Sequence, residues 1–405
     1  MSASRCSIEV PEAYISPQDY LKSPKFHHTI SFTPSGLSAL ITASYALCGS
    51  TNPTDRVVLW INGLGHHRIA AGLFDGLFAA NGIRLLTIDR PSSGQSTAVE
   101  PSDLRVRVCF ETILAVLDRH EIRKFTLLSH SNGIIYALST LVNLPRDRFE
   151  CTQWLLTSPW VPPPISGSVP FGLASYLPAA LTNRLGGAAA SVQRMIGPLG
   201  WSMGIAKDWV GWSAGMISAP SGGSSGTDSR TASTPTRNAR KRTPLEQIQR
   251  FEAIQMTKPV TQRTFGGRYY PSGLLDQGLE IAIEEGLEGM GVEAIMSLRK
   301  GVTWDWFEGE TVDTDAHEVY ERGFERLKRI RTTEAGFELD VKIWYAGADG
   351  MIPKKGREWF KQLLVDRLGI VGADRVIEIP GAGHDEILGL QVVVDEVVAQ
   401  VKRDL

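Results

Sequence analysis

A serine, an aspartate and a histidine follow three separate apolar segments, in an order that could support nucleophilic chemistry. Ser131 stands at the centre of Ser129–Gly133, whereas Asp349 and His384 each adjoin glycine in turns near the end of the chain. A serine hydroxyl is a weak nucleophile unless a base takes its proton and a third group orients that base. The pattern therefore predicts Ser131 as nucleophile, His384 as base and Asp349 as orienting acid.

The segment around Ser131 has the strand–turn–helix pattern expected of a nucleophile elbow. The apolar run Phe125–Leu128 predicts a buried strand, and apolar residues recur at helical spacing after Gly133. A serine at the apex of a strand–turn–helix unit projects its hydroxyl from the sheet edge. The backbone N–H of Asn132 then lies at a helix N-terminus, where it is predicted to stabilise an oxyanion. Small residues fit this tight turn, although Ser129 stands where glycine is more common.

A second glycine-rich turn follows the apolar strand Val57–Ile61 and reads Asn62-Gly63-Leu64-Gly65-His66-His67. Glycine allows the backbone of such a loop to approach a ligand closely. The backbone N–H of Leu64 is therefore predicted to face that of Asn132 as the second oxyanion donor. His66 and His67 have two possible roles, since they could contact substrate or cap the helix that follows.

Other polar residues fit catalysis less well. His120 ends a predicted helix, His317 lies in a predicted helical segment, and His130 is expected to face away from the apex of the elbow. Asp89 precedes an arginine and a turn, a setting in which aspartate usually bonds loop backbone. We therefore expect Asp89 to be structural.

The elements that must position these residues alternate between strand and helix. Buried strands and amphipathic helices follow one another from Val57 to Thr157, and strand patterns return at Leu339–Tyr345 and Val376–Ile379. This alternation predicts an α/β fold, with a mostly parallel sheet and helices on both faces. Phe26–Phe32 and Leu40–Leu47 predict an antiparallel hairpin that opens the sheet. Ligands of such sheets bind beyond the carboxyl ends of the strands, where the glycine-marked turns would gather.

Strand patterns are absent between these two parts of the chain. Residues 1–157 and 338–405 are predicted to form the core, and residues 158–337 a large inserted helical cap, or lid. The segments predicted as helices or broken helices of the cap are Ala174–Leu185, Ala188–Ile196, Trp201–Met216, Leu245–Met256, Gly278–Leu298 and Ala316–Ile330. Six of the ten tryptophans lie in the cap, so an apolar substrate is expected, with Trp160 as a possible contact. Residues 218–244 have the composition of a flexible loop with a short basic run.

Composition excludes several classes of protein. The 405 residues carry a formal charge of −2 and are 42% hydrophobic, which gives no reason to expect nucleic acid as a partner. The four cysteines have neither zinc-ligand nor disulfide spacing, so we expect no metal and a reducing, cytoplasmic environment. No secretory signal and no membrane-spanning run is recognised. No cofactor motif is found, and the expected partner is a small molecule.

Together these motifs resemble the α/β-hydrolase superfamily with an inserted cap. The resemblance covers the core through Asn62–Gly65, Asp89–Ser96, Ser129–Gly133, Gly347–Pro353 and Gly381–His384. It implies the same nucleophile, base and acid, and the same two backbone donors. Ser129 in place of glycine and Asn62 in place of a common histidine are departures from the family pattern. Epoxide hydrolases and haloalkane dehalogenases of this superfamily use aspartate at the apex, which Ser131 does not match.

The resulting hypothesis is a serine hydrolase, similar to carboxylesterases or thioesterases, acting on an ester, thioester or lactone of a largely apolar small molecule. Three alternatives remain open at this point. The same triad could transfer the acyl group to an alcohol or amine, or could cleave or cyclise a carbon–carbon skeleton. The fold could also serve as a non-catalytic ligand-binding protein, because fold does not determine function.

Overall fold

Eight strands form one twisted sheet in the computed structural model, which describes residues 16–65, 67–100, 104–176, 244–266, 269–271, 273–287, 289–298, 304–307, 310–312, 316–334 and 337–403. The sheet strands are β1 (His28–Phe32), β2 (Ile41–Gly49), β3 (Arg56–Ile61), β4 (Ile83–Ile88), β5 (Lys124–His130), β6 (Glu150–Thr157), β9 (Asp340–Ala346) and β10 (Val376–Ile379). Two further strands, β7 (Trp304–Phe307) and β8 (Glu310–Val312), form a separate ribbon.

The order across the large sheet is β1-β2-β4-β3-β5-β6-β9-β10. β1 pairs with β2 and β2 with β4 in antiparallel fashion, and every other neighbouring pair is parallel. The predicted hairpin and the parallel sheet are both confirmed. This order and these directions are those of the α/β-hydrolase fold.

Helices cover both faces of the sheet. The core helices are α1 (Pro17–Leu21), α2 (Gly72–Ala80), α3 (Arg105–Arg119), α4 (Gly133–Asn143), α11 (Lys354–Lys361) and α12 (Gln391–Arg403). The result is three layers, with the sheet between two layers of helices. α3 and α4 pack on the face that carries Leu127 and Trp154. α2 and α12 pack on the opposite face against Trp60 and Trp344. Both faces are apolar, as expected for a doubly covered parallel sheet.

The segment between β6 and β9, residues 158–337, is called the insert below. Its described helices are α5 (Pro163–Ser166), α6 (Val169–Ser175), α7 (Pro244–Met256), α8 (Leu274–Glu285), α9 (Gly289–Leu298) and α10 (Ala316–Thr333). Among the helices of the described ranges, none combines the length and the apolar character needed to cross a lipid bilayer.

Several details of the insert differ from the sequence-based expectation. The β7–β8 ribbon lies where no strand was expected, and two residues of strand propensity, Trp304 and Trp306, belong to β7. The segment Gly278–Leu298, predicted as a helix or a broken helix, is broken, because Gly286 has a φ of 111° that no helix continues through. The predicted helices at 188–196 and 201–216, most of 174–185 and nearly all of loop 218–244 lie outside the described residues. The division into core and cap stays a prediction.

Candidate active site

Ser131 stands at a strained turn between β5 and α4. Its φ is 48°, a left-handed value that is rare outside glycine and typical of a nucleophile elbow. The turn is held because the Ser131 backbone N–H donates to the carbonyl oxygen of Thr157 over 3.0 Å. A Cβ on Gly133 would lie 2.3 Å from the carbonyl oxygen of Ile61 and 2.5 Å from that of Asn62. Only glycine therefore lets α4 begin so close to the end of β3.

The three residues singled out by the sequence lie within hydrogen-bond distance of one another. His384 Nε2 is 2.7 Å from Ser131 Oγ, and His384 Nδ1 is 2.7 Å from Asp349 Oδ2. The other carboxylate oxygen of Asp349 accepts backbone N–H groups of Met351 and Ile352, each over 2.8 Å. These bonds fix the carboxylate on the imidazole, so that Nδ1 carries the proton and Nε2 is free to accept the serine proton.

Burial and charge act in opposite directions on His384. Removal from solvent lowers the pKa of the imidazole, but the charge and hydrogen bond of Asp349 more than offset this. The pKa of His384 therefore lies above its ordinary value of 6.5. A raised pKa makes the ring a stronger proton acceptor for the serine hydroxyl.

The two predicted oxyanion donors belong to neighbouring turns. The Gly133 contact with the carbonyl of Asn62 brings the Asn62–Gly65 loop against the start of α4. Neither the backbone N–H of Leu64 nor that of Asn132 donates a hydrogen bond to another residue in the part of the chain that the structure describes. Their joint role as an oxyanion hole stays a prediction that this placement supports.

His67 takes the second of its two predicted roles. Its Nδ1 accepts the Ile69 backbone N–H over 3.3 Å, which caps a short 3₁₀ helix at Arg68–Ala71. Its Nε2 lies 3.1 Å from Glu285 Oε2 of α8, so both ring nitrogens are engaged away from Ser131. His67 therefore caps this helix, and the contact with substrate predicted for it stays a prediction. His66 lies outside the described residues.

Asp89 is structural, as expected. Its Oδ1 accepts the Arg68 backbone N–H over 2.6 Å, and its Oδ2 accepts the Arg68 guanidinium over 2.6 Å and the Ser44 hydroxyl over 2.7 Å. We call Arg68, Asp89, His67 and Glu285 the first ion cluster. It ties helix α8 of the insert to the ends of β2 and β4.

Trp160 follows β6 and lies directly beside the elbow. Its backbone N–H donates to the carbonyl oxygen of Ser131 over 3.1 Å, and its ring meets Phe171 edge to face with centroids 5.1 Å apart. The buried indole N–H has no hydrogen-bond partner among the described residues. A buried donor without a partner is costly, so it is a candidate to bind a ligand oxygen.

The departure at Ser129 has a local explanation. Its hydroxyl accepts the indole N–H of Trp154 over 2.9 Å, which satisfies a buried donor on the neighbouring strand β6. A glycine here would leave that N–H unpaired. The residue is 2% exposed and fits the turn without displacing Ser131.

One residue of the insert that sequence reasoning missed, Glu293, is buried against three residues from outside the insert. Glu293 of α9 is 1% exposed, and its Oε1 accepts Arg90 Nε over 2.6 Å, an Arg105 guanidinium N–H over 2.8 Å and the Tyr136 hydroxyl over 3.3 Å. We call these four residues the second ion cluster. The available signal was that Glu293 is the single charged residue of the apolar helix Gly289–Leu298.

A second histidine–aspartate pair adjoins the first. His130 is the last residue of β5, and its Nε2 lies 3.1 Å from Asp385 Oδ1 while its Nδ1 lies 3.1 Å from Thr157 Oγ1. Its ring centroid is 5.1 Å from that of His384. Neither nitrogen contacts Ser131, in keeping with the expectation that His130 faces away from the apex.

Among the residues that the structure describes, two groups of side chains have the elements of a metal site. The ligand atoms of His130, His384 and Asp385, and those of His67, Asp89 and Glu285, each lie within 4.8 Å of one another. The first group is already paired through Ser131 and Asp349, and the Arg68 guanidinium occupies the second. A cation there would have to displace these bonds.

Comparison with known proteins adds little beyond this geometry. No family model matches the chain, and no curated protein matches it. Among solved structures, a carboxylesterase of Nitrososphaera gargenis is 10% identical with a TM-score of 0.49, covering 93% of this chain and 100% of its own. Epoxide hydrolase A of Mycobacterium thermoresistibile is 16% identical with a TM-score of 0.49, covering 94% and 99% respectively. A thioesterase domain from the curacin biosynthetic pathway is 11% identical with a TM-score of 0.46, covering 93% and 99%. Similarities this low carry no argument about activity.

Proposed function

We propose that this protein is a serine hydrolase that cleaves an ester, thioester or lactone of a largely apolar small molecule through an acyl-enzyme. The observation that carries the proposal is the continuous relay from Ser131 Oγ through His384 to Asp349, with both bonds at 2.7 Å. A hydroxyl, an imidazole and a buried carboxylate in this geometry are the parts that nucleophilic acyl transfer requires.

The reaction follows from the positions of these atoms. Ser131 Oγ attacks the carbonyl carbon as its proton passes to His384 Nε2, and Asp349 stabilises the resulting imidazolium. The backbone N–H groups of Leu64 and Asn132 stabilise the negative oxygen of the tetrahedral intermediate. His384 then gives its proton to the leaving alcohol or thiol. Water attacks the acyl-enzyme by the same steps and regenerates Ser131.

The preference for an apolar substrate is supported by side chains beside the site. A Cβ on Gly65 would lie 2.9 Å from the sulfur of Met290, so helix α9 presents a thioether to the Asn62–Gly65 loop. Phe171 of α6 packs on Trp160 next to the elbow. Mostly apolar walls with a few polar groups are typical of small-molecule sites, and the indole N–H of Trp160 is the polar group we assign to the substrate.

The test combines a covalent probe with a substrate series. A fluorophosphonate should add one phosphonyl group to the intact protein with loss of fluoride, and Ser131→Ala should abolish both the adduct and turnover. We expect kcat for p-nitrophenyl esters to fall on the order of 10⁶-fold in that variant. Graded acyl chains from acetate to decanoate report the size of the pocket.

The outcomes separate this proposal from its alternatives. A wild-type protein that neither forms an adduct nor turns over any ester would overturn it in favour of a ligand-binding role. An adduct that survives Ser131→Ala would place the reactive group elsewhere. Product analysis with an added alcohol or amine distinguishes hydrolysis from acyl transfer, because transfer yields a new ester or amide.

A further inference from the structure

Arg90 holds the loop that carries one of the proposed oxyanion donors. Its two terminal guanidinium nitrogens donate to the carbonyl oxygens of Asn62 and Gly63, over 2.6 Å and 2.5 Å respectively. The side chain is 5% exposed and lies 4.9 Å from the centroid of the Tyr136 ring. Arg90 therefore bridges two successive peptide groups of the loop.

The bond to Gly63 determines where the next N–H points. The carbonyl of Gly63 and the N–H of Leu64 belong to the same planar peptide group, and in a trans peptide they point in opposite directions. A guanidinium fixed on the oxygen therefore fixes the orientation of the N–H on the other side. A cation on the carbonyl also polarises the peptide and strengthens its N–H as a donor.

The insert in turn holds Arg90. Glu293 Oε1 accepts the Nε of Arg90 over 2.6 Å, and Glu293 is buried between Arg90 and Arg105. Burial raises the pKa of Glu293, but the two arginines outweigh it and keep the carboxyl ionised. One helical turn later, Ser297 Oγ lies 2.8 Å from the Asn132 side-chain oxygen. Helix α9 thus contacts Arg90, which holds the peptide of the first proposed donor, and Asn132, which carries the second.

We infer that Arg90, seated by Glu293 of helix α9, is a positioning residue that orients and polarises the Leu64 N–H toward the oxyanion. This inference rests on the proposed function. Arg90 does not touch the substrate, and it acts through the peptide between Gly63 and Leu64. Glu293 would couple the placement of the insert to the strength of the oxyanion hole.

The test compares Arg90→Lys with a control variant, Glu285→Gln, which alters the first ion cluster. Lysine keeps the charge but lacks the planar fork that bridges two carbonyls. Losing a whole oxyanion donor costs about 10²- to 10³-fold in kcat, so a misdirected one should cost about 10- to 100-fold. KM should stay within about twofold, because the ground-state carbonyl gains little from this donor. Glu285→Gln also breaks an insert–core ion pair, but it leaves kcat near the wild-type value.

The affinity for a transition-state analogue tests the role of Arg90 directly, because a merely structural role would not change it. A trifluoromethyl ketone forms a hemiketal oxyanion on Ser131, so its Ki in Arg90→Lys should rise by the same factor as kcat falls. Glu293→Gln, which keeps the size of the side chain, should show a smaller parallel change. If Arg90→Lys does not fold, the Ki and kcat of Glu293→Gln test the role of Arg90 instead.

The remaining outcomes each count against a specific statement. Wild-type kcat and Ki in both variants would overturn the role of Arg90 while leaving the serine hydrolase proposal intact. Equal losses in Glu285→Gln and the two test variants would show a general effect of the insert and would also overturn it. Absence of wild-type turnover and of a fluorophosphonate adduct would overturn both proposals together.

Discussion

Two buried histidines, His384 and His130, lie side by side at the carboxyl ends of the strands, and each is paired with an aspartate. Their surroundings nevertheless shift their pKa values in opposite directions. Burial lowers the pKa of both rings. At His384 the buried carboxylate of Asp349 outweighs this effect, and the pKa rises above 6.5. At His130 the Asp385 bond does not offset burial, the neighbouring His384 opposes a second charge, and the pKa falls below 6.5.

The difference arises in the carboxylates rather than in the imidazoles. The Asp349 side chain is fully buried and is held by two backbone N–H groups, so its charge is little screened by water. The Asp385 side chain is 50% exposed, and solvent screens its charge. The same pair of residue types therefore raises the pKa of the histidine in one place and leaves it lowered in the other.

The largest expected effect separates the two aspartates. Asp349→Asn should lower kcat for a p-nitrophenyl ester by about 10⁴-fold, because the amide favours the wrong histidine tautomer. Asp385→Asn is the matched control, and it should lower kcat by less than about tenfold, since its charge acts on His384 only from a screened position. Similar losses in the two variants would show that the pairs are not distinct.

An effect of intermediate size is expected on the stability of the protein when His130 is replaced. His130→Gln should lower the free energy of unfolding by about 1–3 kcal/mol at pH 7.5, because a fully buried ring and its bonds to Thr157 and Asp385 are lost. Urea unfolding of both proteins measures this difference.

The same variant has a predicted pH dependence. Because the pKa of His130 is lowered on folding, the unfolded chain binds the proton more readily than the native protein. The stability that this ring contributes is fully present above pH 6.5 and is lost as the pH falls below it. The advantage of the wild type over His130→Gln should therefore shrink from pH 7.5 to pH 5. An advantage that grows over this range would contradict the assigned direction.

The smallest expected effect is a displacement of the pH–rate profile. Since His384 must be neutral to accept the serine proton and its pKa is raised, kcat/KM should fall on the acid side with a midpoint above 6.5. Asp385→Asn should move this midpoint slightly downward, because Asp385 makes only a minor contribution to the raised pKa. A midpoint below 6.5 in the wild type would show that burial dominates at His384 as it does at His130.

The three residues of the proposed relay could be singled out from the sequence because the same local pattern surrounds each of them. Ser131, Asp349 and His384 each follow an apolar strand and lie at a glycine-marked turn, and parallel strands bring such turns to one edge. The same reasoning predicted the sheet itself, whose strands are short apolar runs between helices of 3.6-residue period.

The residues around the relay could not be recognised in this way. The acidic residues of the insert that enter the two ion clusters, Glu285 and Glu293, stand in helices where a charge is ordinarily on a solvated face. Their partners Arg68, Arg90 and Arg105 lie nearly 200 residues or more away in the chain. His67 likewise had two reasonable roles, and the choice depended on Glu285, which belongs to another element.

The sequence by itself determined the fold class, the order of Ser131, Asp349 and His384, and the turns that carry them, because these depend on local periodicity and glycine geometry. Only the tertiary structure decided in which direction the pKa of each buried histidine moves, and which arginine supports the loop at Asn62–Gly65. Those outcomes depend on burial and on charges brought together from distant elements, and the electrostatic energy of a buried group is a property of its surroundings rather than of its type.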